Sequence, residues 1–151
     1  MSESVNPDNS CASLETGVYA TDGDKLEEML SLQSRLQSLY GAHPDDMDAI
    51  DRQRLIGNMT LAATDELHEF LNRTPWKPWK VYRSSDFDPT PDELKEIKME
   101  LVDVLHFWMV LCLAFNMSAD EIFGFYMAKN KENIDRLDRG YSKKQVSNIK
   151  E

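Results

Sequence analysis

Four carboxylates recur in two acid-x-x-acid units, Glu66-Leu-His-Glu69 and Glu100-Leu-Val-Asp103. Residues three apart in a helix lie roughly 60° apart on one face, so each unit aims its two carboxylates the same way. On a helical wheel Leu55, Met59, Ala62 and Phe70 form an apolar stripe, with Glu66 in its middle and Glu69 on its edge. Glu100 and Asp103 share a face with Phe107 and Leu111, beside the stripe of Leu94, Ile97, Leu101, Val104 and Trp108. An unpaired carboxylate in such a place is costly to bury. No matching set of buried cations is evident, so four inward carboxylates ask for a hard metal ion with oxygen ligands. Either pair alone reads as a solvated helix face. The two together, at core-facing positions, make a candidate metal site.

Further chemistry-bearing residues lie around these pairs. Lys129, Asn133 and Arg136 fall within one narrow helical strip beside Ile122, Phe123, Tyr126 and Ile134. Two cations around an amide suit the oxygens of a phosphate chain. Taken alone, the strip reads better as the solvated basic end of a helix. Gln33 and Gln37 sit inside an apolar stripe and need partners. Each amide could read a pyrimidine edge or close an internal hydrogen bond. Trp76 and Trp79, interleaved with Lys77 and Lys80, could stack on a base, hold phosphates or cover the end of the helices. Asp65-x-x-His68 and Asp103-x-x-His106 invite a di-iron reading. Asp65 and His68 point away from the Glu66 stripe, however, and the first and last helices offer no inward carboxylates.

The elements that position these groups are four helices. Residues 1–23 are polar and aperiodic, the composition of a mobile leader. A first helix starts near Asp24 and stops at Gly41; its stripe is Leu26, Met29, Leu30, Leu36 and Tyr40. A second runs from Asp46 or Asp48 to Asn72, with a possible break near its start. Thr90-Pro-Asp-Glu93 and Ser118-Ala-Asp-Glu121 are capping boxes that open a third helix reaching about Phe115 and a fourth reaching Gly140. No strand signal competes. The expected fold is all-α and four-helix-bundle-like, a single domain over 24–141, followed by a polar tail at 142–151.

A formal charge of −10 over 151 residues, with pI near 4.7, argues against direct binding to a nucleic-acid backbone. Val104 to Phe115 is the longest apolar run, too short for a bilayer and broken by His106, so no membrane role is expected. Cys11 and Cys112 form no scaffold pattern, which fits reduced thiols in a cytoplasmic protein.

The ordered series Leu-Gln33, Glu66-x-x-Glu69, Pro75-Trp-Lys-Pro-Trp-Lys80 and Glu100-Leu-Val-Asp103-Val-Leu-His-Phe107 resembles the all-α nucleoside triphosphate pyrophosphohydrolases, and within them the dimeric dUTPase family. The likeness spans roughly residues 24–141, is dense from 76 onward, and is greatest to phage members that act on dCTP as well as dUTP. It implies Mg²⁺-dependent hydrolysis of dCTP and dUTP to the monophosphate and pyrophosphate, controlling a nucleotide pool in phage DNA replication in the host cytoplasm, by a homodimer. Strict dUTP hydrolysis, a purine or modified nucleotide, and a non-catalytic nucleotide-binding or structural bundle are the rival readings. By the same resemblance Glu66, Glu69, Glu100 and Asp103 hold Mg²⁺, and Glu69, with Glu66, orients the attacking water. Lys80, Lys129 and Arg136 neutralise phosphate charge, and Asn133 contacts phosphate or sugar. Gln33, Trp76 and Phe107 contact the base. Residues 41–57 carry no clear family match. A glutamine amide can turn to suit either uracil or cytosine, so the sequence does not choose between them.

Overall fold

A computed structural model describes residues 23–83 and 86–139. The expected leader up to residue 22, Cys11 and the tail at 142–151 lie outside the described residues. Among the described residues the fold is all-α, with helices α1 (Lys25–Leu39), α2 (Ala49–Asn72), α3 (Pro91–Ala114) and α4 (Ala119–Asp138). A 3₁₀ turn over Pro44–Asp46 precedes α2. Asp46 therefore belongs to that turn and Asp48 is the α2 cap, its carboxylate accepting from the Ile50 and Asp51 N–H groups.

Local chemistry sets the boundaries. Asp24 accepts from the Leu26 and Glu27 N–H groups at the start of α1. Gly41, with φ of 74°, takes the left-handed conformation that stops this helix, and the Ala42 N–H returns to the Gln37 carbonyl. At α3 the capping box is complete: the Glu93 N–H donates to the Thr90 hydroxyl, and the Glu93 carboxylate accepts from the Thr90 N–H. Those hydrogen bonds to its ionised form hold the Glu93 carboxyl below the usual range. Ser118 caps α4 by accepting from the Glu121 N–H.

The described residues divide between two compact units, one ending at Asn116 and one beginning at Met117. In the first, α3 packs along α2 and also against α1 and the 3₁₀ turn. The buried face of α1 runs through Leu30, Gln33 and Gln37, while Leu36 and Tyr40 of the expected stripe are exposed. The face turned to α3 is thus rotated toward the two amides. The α2 stripe of Leu55, Met59, Ala62 and Phe70 is only half-buried. Val110 of α3 is fully buried, and Cys112 is a buried free thiol whose pKa burial pushes up. Among the described residues no single helix is long and apolar enough to cross a membrane.

Arg52 ties this unit together. Its guanidinium donates to the Ala114 carbonyl at the end of α3 (2.5 Å) and to the Pro44 carbonyl of the 3₁₀ turn (3.2 Å). Charged donors to carbonyls are stronger than neutral ones, and the Ala114 carbonyl lies in the last turn of α3. Arg52→Ala is expected to cost about 1–2 kcal/mol, a fall of roughly 2–8 °C in Tm read by circular dichroism.

Candidate active site

The two acidic units converge where α2 meets α3. Oxygens of Glu66, Glu100 and Asp103 all lie within 4.8 Å of one another. Glu100 is buried, and Glu66 and Asp103 are half-buried. Burial pushes the Glu66 carboxyl above the usual range, and the charges of Asp103, Glu69 and Glu100 push it further. Burial likewise raises Asp103; the His106 charge acts in the opposite direction and Glu100 adds to the rise. Three mutually repelling carboxylates in a partly dehydrated place are what a divalent cation relieves. Their hard oxygens at this spacing suit a hard divalent cation.

Glu69 stands apart from this trio. It is exposed one helical turn from Glu66, close enough that its charge is felt there. The trio also has a cation that the sequence pattern did not reveal. Arg73, the residue capping the end of α2, donates through Nε to Glu100 Oε1 at 2.6 Å and reaches Glu96 at 3.3 Å. The expectation of carboxylates without a counter-cation is therefore corrected: Glu100 is already ion-paired from across the helix interface.

Beyond Arg73 the chain enters the aromatic loop. The Trp76 and Trp79 rings meet edge to face at 5.7 Å, and the Trp76 indole N–H donates to Asn72 Oδ1. The Tyr82 hydroxyl accepts from the Lys77 N–H. These contacts shape a cavity of about 350 Å³ whose wall includes Arg73, Trp76, Lys77 and Lys80. Three cations on one wall give it the character of an anion site. Trp76 is thus both a packing residue and a cavity wall.

On the other flank of α3, Gln33 and His106 meet. His106 Nδ1 and the Gln33 carboxamide share a hydrogen bond of 2.7 Å, so the internal hydrogen bond is one role the buried amide fills. Phe107 is half-buried on the same helix. In the second unit, Lys129 and Arg136 both pair with Glu132, Lys129 at 2.7 Å, and these cations hold the Glu132 carboxyl below the usual range. Asn133 is exposed beside them. The basic strip thus carries its own carboxylate.

The family profile described as dUTPase matches residues 25–119, covering α1, α2 and α3 and every residue of the acidic trio. The chain belongs to the dUTPase family. This family member is 34% identical over 169 aligned residues to the dCTP pyrophosphatase of Enterobacteria phage LZ5, covering 88% of this chain and 98% of that one. It is 30% identical over 167 residues to the dCTP pyrophosphatase of Enterobacteria phage T4, with the same coverage. A DNA replication protein of phage T4 is 29% identical over 161 residues, which are 84% of this chain and 41% of that protein. No solved structure matches the chain. The dUTPase-family protein is thus a nucleotide pyrophosphohydrolase, and the likeness read from its motifs is borne out.

For this dUTPase-family enzyme the structure joins Glu66, Glu100 and Asp103, lines one cavity with Trp76 and Lys80, and pairs Gln33 with His106. It sets Glu69 beside the trio rather than in it. The residue at this site that sequence reasoning missed is Arg73, the ion-pair partner of Glu100. Its one local signal is a cation at a helix end just before Thr74-Pro75.

Proposed function

We propose that this enzyme hydrolyses dCTP and dUTP to dCMP or dUMP and pyrophosphate, with Mg²⁺. The observation that carries the reading is the convergence of Glu66, Glu100 and Asp103 in a chain that aligns over nearly its whole length with phage dCTP pyrophosphatases. Mg²⁺ held by Glu66, Glu100 and Asp103 would stabilise negative charge on the attacking and leaving oxygens of the phosphate chain. Glu69, solvent-facing and one turn from Glu66, accepts a hydrogen bond from the attacking water and takes its proton. The new bond joins the water oxygen to the α-phosphorus; the bond from that phosphorus to the α,β-bridging oxygen breaks, and pyrophosphate leaves. Lys80 and Arg73 meet the phosphate oxygens from the loop cavity. Lys129, Asn133 and Arg136 are assigned to phosphate and sugar on the family likeness. Gln33, with Trp76 and Phe107, is assigned to the base.

Large apolar side chains left exposed on α1 and α2, Leu39 and Leu61 among them, support a homodimer. The phage relatives support a role in controlling a nucleotide pool in the host cytoplasm. One finding favours a second reading, strict dUTP use: the matching family is described as dUTPase.

Pyrophosphate release from a panel of dNTPs and NTPs, with Mg²⁺ and with EDTA, tests the proposal. Mg²⁺-dependent release from dCTP and dUTP is expected. Release from dUTP alone selects the second reading, release from purine nucleotides alone sinks the base assignment, and no release from any leaves a non-catalytic binding role.

A further inference from the structure

One guanidinium is shared by two carboxylates at the edge of the acidic trio. Arg73 Nε and Nη2 both donate to Glu100 Oε1, at 2.6 and 2.5 Å, and Nη2 also reaches Glu96 Oε2 at 3.3 Å. Glu96 precedes Glu100 by one turn of α3, so the two present their carboxylates on one face. Glu100 belongs to the trio, whereas Glu96 lies outside it. Open space adjoins Arg73 on two sides. It lines the loop cavity with Lys77 and Lys80, and also a second cavity of about 250 Å³ with Asp86, Asp88 and Glu93. A partly exposed guanidinium with a second partner and free space beside it is able to leave the first.

We infer that Arg73 is an exchangeable counter-ion of the trio: it holds Glu100 until a divalent cation draws on that carboxylate, then gives Glu100 up and stays with Glu96 at the wall of the loop cavity. The inference rests on the proposed metal role of Glu100 and adds the residue that sets how tightly this chain takes the ion. A buried carboxylate without a cation is costly, which is why the pair forms. Arg73 pairs with one member of the trio, however, while a divalent ion satisfies Glu66, Glu100 and Asp103 together. The two cations do not share Glu100 at full strength. A guanidinium keeps its charge under all ordinary conditions, and at this range it repels a second cation. Glu96 is the other half of the device, because it gives the displaced guanidinium a partner one turn away. Such competition is reciprocal: whatever the metal takes from Arg73, Arg73 takes from the metal. Solvent around the arginine moderates the effect, which leaves about tenfold in metal affinity.

The test is Mn²⁺ binding without nucleotide, read from the electron paramagnetic resonance of the free ion, with circular dichroism to count folded protein. Mn²⁺ takes the same oxygen ligands as Mg²⁺. The full-length chain is compared as wild type, Arg73→Gln, Arg73→Lys, Glu96→Gln and the Arg73→Gln, Glu96→Gln double variant. Arg73→Gln, whose amide still donates to Glu100, is expected to bind Mn²⁺ about tenfold more tightly than wild type. Arg73→Lys keeps the charge without the planar fork and should fall between the two. Glu96→Gln should bind more weakly than wild type, because the guanidinium then has Glu100 alone. That loss should vanish in the Arg73→Gln background. Arg73→Gln that binds Mn²⁺ no more tightly than wild type overturns the inference, since the guanidinium then braces Glu100 instead of competing for it. A Glu96→Gln loss of equal size in both backgrounds overturns the handover between the carboxylates. Glu100→Gln should lower Mn²⁺ affinity; if it does not, Glu100 is no ligand, and the metal reading and the inference fall together. Tighter binding in Arg73→Gln with no pyrophosphate release from any nucleotide would fail the proposed function and leave the exchange standing.

Discussion

Asp103→Asn is expected to lower pyrophosphate release by roughly 10²–10³-fold while making the metal-free protein more stable. The two effects have one cause. With substrate and metal bound, the Asp103 carboxylate is one of three anions that hold charge in place. Without metal it is one of three that repel at short range in a half-buried site. Removing one negative charge from such a cluster relieves about 1 kcal/mol in surroundings this wet, or roughly 2–4 °C in Tm. The pH dependence gives the same sign. Glu66 and Asp103 have folded-state pKa values above their unfolded ones. Their stabilising contribution is therefore complete below the ordinary carboxylate range and is lost as pH rises through the raised values, where the folded state sheds its extra protons. Urea melts in EDTA across that range should show wild type losing ground to Asp103→Asn as pH rises. A variant less stable than wild type at neutral pH would mean that the trio is not a repelling cluster.

Arg73→Ala is expected to destabilise the metal-free enzyme by about 2 kcal/mol, because it strands the buried Glu100 carboxylate without its cation. The full cost of breaking a buried pair is reduced here, since the Arg73 side chain is 38% exposed and solvent screens part of the interaction. Saturating Mg²⁺ should return most of the loss, because an ion on Glu100 does the work of the missing guanidinium. Thermal melts with EDTA and with Mg²⁺ read both quantities. An equal loss under the two conditions would assign Arg73 to packing alone. Substrate KM should rise in the same variant, as the loop cavity loses one of its cations.

What could be read from the sequence was what short-range chemistry encodes. Asp24, Thr90 and Ser118 stand within three residues of the N–H groups they cap, so these helix starts were legible, as was the stop at Gly41. The acidic trio was legible because a carboxylate amid an apolar stripe is conspicuous on its own helix. Arg73 was not, because its partner Glu100 lies 27 residues away on another helix and the arginine falls just past the last periodic turn of α2. Gln33 could be marked as a buried amide, but the histidine it hydrogen-bonds is 73 residues distant, and no spacing rule reaches that far. On α1 the two glutamines read as lying inside the apolar stripe are buried, whereas Leu36 and Tyr40 of that stripe stay exposed, because hydrophobicity alone does not say how far along its length a helix is covered.

Helix α3 carries Glu100 and Asp103 toward α2 and His106 toward α1, within two turns of the same rod. One rod thus braces two separate contacts, so a substitution that slides α3 along its axis moves the acidic cluster and the Gln33 hydrogen bond together.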